Sequence, residues 1–152
     1  MKTLRRLFAV LILCICVSMS SACKGSVPTN LIIRDATISA NSTATSLETM
    51  QGVALIVYRL EQELAIQAAV NMHESKEQAK ARVTLVRTAW IPVWEAFAAA
   101  RATYAALTAI LSAVPQPSDA AIQSAVNGND AATAKAISLL SSARKRVEGG
   151  TQ

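Results

Sequence analysis

The chain is poor in aromatic residues, glycine and histidine. Its 152 residues include two Trp, two Tyr, two Phe, five Gly, four Pro and a single His. No stretch alternates apolar and polar residues between turn signals, so a sheet is not expected. A lone histidine, His73, leaves no partner for the common histidine-based nucleophiles. A zinc site needs three or four His, Cys or carboxylate ligands, and Glu74 and Glu77 beside His73 do not complete one. His73 therefore reads as a solvated turn residue. Glu61 and Glu63, two apart on a helix, diverge by about 200° and cannot act as a carboxylate pair. There is no glycine-rich phosphate loop. These absences argue against an enzyme and against a bound metal or cofactor.

Long hydrophobic runs are also scarce. The longest, Leu7 to Val17, has 11 residues. As a helix it would reach about 16 Å, against the roughly 30 Å of a bilayer's hydrocarbon core. It follows a basic start (Lys2, Arg5, Arg6) and precedes the small residues Ser18-Met19-Ser20-Ser21-Ala22. That order is the layout of a secretory signal peptide over residues 1–22. Cys23 comes next. Ser20-Ser21-Ala22-Cys23 resembles the lipobox of bacterial membrane lipoproteins, although that family most often has Leu where Ser20 stands. The resemblance implies cleavage before Cys23, a diacylglycerol on its thiol and an N-acyl group on the new terminus, commonly palmitate. Leu13 before Cys14 and Ile15 before Cys16 are not small, so neither of those cysteines fits.

Cysteine and charge usage agree with this reading. Once residues 1–22 are removed, Cys23 is the only cysteine of the three that remains. It cannot form an internal disulfide in an oxidising compartment, and acylation gives the thiol a use. The net charge of +5 also shrinks, because three of the 15 basic residues lie in the signal; 12 basic face 10 acidic residues after it. Arg144-Lys145-Arg146 is the one basic cluster, and it suits a helix C-terminus better than a nucleic-acid footprint.

What the chain has in quantity is alanine, the best helix former. The expected fold is all-α: an antiparallel helical hairpin with one or two short C-terminal helices packed across it, in a domain spanning 46–148. Residues 23–45, rich in Ser, Thr, Asn and Ala, read as the lipidated cysteine and a flexible tether. Within it, Leu31-Ile32-Ile33 is either a helical turn or a patch that docks on the domain. Thr45 and Glu48 have capping-box spacing, which starts the first helix near Ser46. Its stripe is Met50, Val53, Val57, Leu60 and Leu64, and it ends near Met72. Ser75 and Gln78 form a second box.

The helix after Ser75 carries the clearest pattern. Val83, Val86, Trp90, Val93, Phe97, Ala100, Tyr104, Leu107, Leu111 and Val114 alternate steps of three and four, a heptad seam. The seam must face another helix, from this chain or from a second copy. It keeps phase through Pro92, so the helix is expected to continue with a kink. After Pro115-Gln116-Pro117, Ser118 caps a short helix over 119–126. Asn127-Gly128-Asn129 makes a turn, a last helix runs from Asp130 to Val147, and 149–152 is a tail. Trp94 lies beside the seam; it is a candidate anchor for a partner or for the membrane interface, with filling of core volume as the plainer role.

Together these features point to a lipid-anchored protein on the periplasmic side of a membrane, with a structural or protein-binding role. Lys24 is not the aspartate that resembles an inner-membrane retention signal, which favours the outer membrane in a two-membrane host. Size and composition loosely resemble small alanine-rich lipoproteins of bacteria and prophages, including outer spanins. That implies, as an alternative, a part in phage lysis or superinfection exclusion.

Overall fold

A computed structural model of the chain describes residues 29–149. They form three helices, α1 (Thr29–Asn71), α2 (Lys76–Leu111) and α3 (Asp119–Gly149), and no strand occurs among the described residues. Each helix packs on both others, so the fold is the all-α bundle that the composition implies. Cross-links give the directions. Gln51 pairs with Arg101 and Glu61 with Trp90, so α2 runs antiparallel to α1. Ser39 pairs with Asp130, Thr43 with Asn129 and Glu61 with Arg146, so α3 runs parallel to α1. At 1.5 Å per residue α1 alone is on the order of 64 Å long, and the bundle is a rod.

α2 follows its sequence pattern closely. The Ser75 hydroxyl accepts from the Gln78 amide, and the Gln78 side chain accepts from the Ser75 amide. Trp90, Val93, Phe97, Ala100 and Leu107 are buried at three-four spacing, and the helix is continuous through Pro92. The seam closes within the chain, against α1 and α3. Its last predicted member, Val114, lies beyond the helix and is 96% exposed.

α1 corrects the expected tether. From Thr29 onward the segment is helical, including Leu31-Ile32-Ile33, and Ala36, Ala40 and Thr43 are buried; residues 23–28 lie outside the described part. The buried positions Ala36, Ala40, Thr43, Leu47, Met50 and Ala54 are spaced four, three, four, three, four. This is a heptad stripe whose first three members are too small or polar to register as hydrophobic. No cap forms at Thr45, whose hydroxyl instead donates to the Asn41 carbonyl one turn back; Thr37 and Thr49 do the same to Ile33 and Thr45. The stripe continues to Val57 and Glu61, so Leu60 faces outward at 44% exposure.

α3 corrects the expected pair of short helices. Ser118 does begin it, accepting from the Ala121 amide. The helix then passes unbroken through Asn127-Gly128-Asn129. Ile122, Asn129, Ala136 and Ala143 recur every seven residues and are all buried, so tertiary packing overrides the local turn chemistry. An added Cβ at Gly128 meets nothing within 4 Å. Gly128→Ala should therefore raise stability by about 0.5–1 kcal/mol, measured by urea unfolding. A loss would mean that the three residues form a turn.

The α1–α2 turn is a helix C-cap. His73 adopts φ 54°, its amide donates to Val70, and the Glu74 amide donates to Ala69. This is the Schellman pattern, with histidine at the left-handed position that glycine usually fills. Its side chain is exposed.

Candidate functional site

The seam places most of the chain's aromatic surface on one side of the bundle's middle. Trp90 and Trp94 are four residues apart on α2 and so one turn apart. Their ring centroids are 5.4 Å apart. Tyr58 of α1 meets Trp90 edge-on at 5.4 Å and Trp94 edge-on at 5.9 Å, the arrangement that ring quadrupoles favour. Phe97 stacks beyond Trp94 at 6.3 Å.

Exposure separates the two indoles. Trp90 is 0% exposed and belongs to the core. Its ring N–H donates to the Glu61 carboxylate, which also accepts from Arg146 of α3 at 3.3 Å. Glu61 thus ties all three helices at one level, and a buried N–H that would otherwise lack a partner is satisfied. Trp94 is only half-buried. One part of the ring packs against Tyr58 and Phe97, and the rest reaches the surface.

A second polar feature crosses the lower half. Asn129 is fully buried and donates 2.8 Å to the Thr43 hydroxyl. Beside it, Ser39 donates to Asp130 at 3.1 Å. The Asn129 Oδ1 and the Thr133 hydroxyl, one turn apart, have no hydrogen-bond partner among the described residues. A buried polar layer of this kind costs stability and fixes which residues of α1 and α3 face each other.

At the hairpin end, Arg82 clasps the turn by donating to both carboxylate oxygens of Glu74. These hydrogen bonds hold the Glu74 carboxyl below its ordinary range and Arg82 above its own. The contribution is present above the unfolded-state pKa of Glu74 and is lost as pH falls through its lowered folded value. Among the described residues no three His, Cys, Asp or Glu side chains come together as metal ligands. Glu61 faces the core while Glu63 is exposed. Cys23 lies outside the described residues.

No protein-family model, curated protein or solved structure matches this chain.

The site therefore rests on its own geometry, and Trp94 is its accessible part. In a Trp90→Phe variant the remaining indole should emit between the buried and the fully exposed extremes, with partial quenching by acrylamide. Complete protection from quencher in the detergent-solubilised monomer would remove Trp94 as a contact residue. Position beside the seam was the signal for Trp94 in the sequence. Glu61, Arg146 and Asn129 gave no such signal, because each matters through a partner 29 to 86 residues away.

Proposed function

We propose that the chain is a lipid-anchored cell-envelope protein, held by acyl groups on Cys23 at the periplasmic face of a membrane, with a structural or protein-binding role. The observation that carries this reading is the order of segments at the amino terminus: Lys2 to Arg6, Leu7 to Val17, then Ser20-Ser21-Ala22-Cys23. Among the described residues no helix is long and apolar enough to cross a membrane, so acyl chains supply the attachment in this reading.

The fold supports a particular posture. Residues 24–28 alone lie between Cys23 and α1. The rod then begins next to the bilayer, and the 72–75 turn is its far end, on the order of 60 Å out if the rod stands upright. The aromatic cluster sits partway along, clear of the lipid, where a protein in the same compartment could meet it. Lys24 after the acylated residue favours the outer membrane in a two-membrane host.

The test is metabolic labelling with a palmitate analogue, with and without globomycin, in the full chain and in Cys23→Ser. Label on the wild type alone, and accumulation of the uncleaved precursor under globomycin, are expected. An unlabelled wild-type chain would end this reading.

A further inference from the structure

A shallow groove of about 320 Å³ runs along the α1–α2 junction near the hairpin end, lined by Ile66, Ala79, Lys80, Val83, Thr84 and Arg87. It lies on the side away from α3. Glu61 points toward α3, where it meets Arg146, and Ile66, five residues on, is turned by about 140° around the helix axis. Along α2, Lys80, Arg87, Trp94 and Arg101 recur every seven residues and so form one row. Trp94 touches Tyr58, and Arg101 donates to Gln51, which fixes that row along the junction with α1.

The groove joins two kinds of surface. Its floor is apolar, and Ile66 and Ile91 beside it are each 50% exposed, next to the half-buried Trp94. Its edge carries Lys80 and Arg87, both exposed and neither in an ion pair among the described residues. The α1–α2 pair thus offers an apolar groove bordered by positive charge that forms no ion pair among the described residues.

We infer that this groove receives an amphipathic helix of a partner protein, with its apolar stripe on Ile66, Val83 and Trp94 and its acidic residues against Lys80 and Arg87. The fourth helix would complete a four-helix arrangement, and the cations favour an acidic helix over a basic one. The inference deepens the binding role proposed above and rests on it. Its test uses the purified chain and reads nothing from the lipid, so either idea can fail alone.

The probe is a synthetic peptide of about 21 residues, three heptads with Leu at the a and d positions and Glu at e and g. Its control carries Lys in place of Glu. Each is titrated into the detergent-solubilised mature chain, following tryptophan emission. The Glu peptide should bind and shift the emission to the blue. Lys80→Glu with Arg87→Glu should weaken it by about tenfold, as expected for two exposed pairs reversed in sign, and should turn the preference toward the Lys peptide. Both side chains are exposed, so an unchanged thermal melt shows that the double variant folds. Equal binding of the two peptides, indifference to the charge reversal, or no binding would overturn the inference. So would binding of phosphatidylglycerol vesicles alone, which assigns the row to a lipid surface. Self-association in light scattering that the reversal abolishes would assign it to a second copy.

Discussion

Trp90→Ala should cost about 3–5 kcal/mol of stability, the range for removing a large buried aromatic side chain. Trp90 is fully buried, packs edge-on against Tyr58, and gives Glu61 its hydrogen bond. The substitution opens a cavity in the layer where Glu61 links all three helices. Small domains are typically stable by about 5–15 kcal/mol, so the variant should be close to unfolded at body temperature. Trp94→Ala should cost much less, on the order of 1–2 kcal/mol, because part of that ring is already in water. Urea unfolding of the chain from Lys24 onward, with the two variants side by side, measures the difference. Similar losses would contradict the assignment of Trp90 to the core and Trp94 to its edge.

The second large effect concerns residues 29–45. Were they a tether, a chain starting at Ser46 would be as stable as one starting at Lys24. The structure predicts a loss of about 3 kcal/mol or more, because fully burying a single large apolar side chain contributes about 1.5–3 kcal/mol. The first four turns of α1 bury Ala36, Ala40 and Thr43 against the lower half of the bundle. That half holds Leu107 of α2 and Ile122 and Asn129 of α3, all fully buried. Deleting these turns uncovers those side chains and removes the partners of Asn129 and Asp130. The carboxyl-terminal half of α2 and the amino-terminal half of α3 should then show faster amide exchange than the aromatic layer. Equal urea midpoints for the two chains would restore the tether.

Reading the sequence worked where the signal was local or rested on large side chains. The Ser75–Gln78 box needs only four residues, and it forms. The α2 seam contains Trp90, Val93, Phe97 and Leu107, whose size makes the period audible, and all four are buried. The amino-terminal half of α1 failed for the opposite reason. Its core positions are Ala36, Ala40 and Thr43, which hydropathy scarcely separates from their neighbours, and its polar residues find partners 86 and 91 positions away. Thr37, Thr45 and Thr49, of a residue type that favours caps and turns, instead bond back to the preceding helical turn.

Asn127-Gly128-Asn129 misled in the same way. Three turn-forming residues in a row outweigh, on local grounds, a heptad spacing that runs straight through them; the buried amide of Asn129 shows that the spacing wins. In α1 the apolar pattern runs slightly out of phase with the buried stripe, because Leu60 is apolar and its neighbour Glu61 is not. Glu61 nonetheless takes the inward position, since Trp90 and Arg146 satisfy its carboxylate there. Of the aromatic cluster, the place of Trp94 beside the seam is legible in the sequence. The row of Lys80 and Arg87 is not, because whether a charge on a helix meets a partner among the described residues shows only once the neighbouring helices are in place.

The most direct measurement of the anchored rod is the intact mass of the protein extracted from membranes. The account predicts a polypeptide that begins at Cys23 and carries the added mass of a diacylglycerol and one further acyl chain, with both increments absent from the Cys23→Ser protein. A mature species with an unmodified thiol at Cys23, or one that begins at Met1, would contradict it.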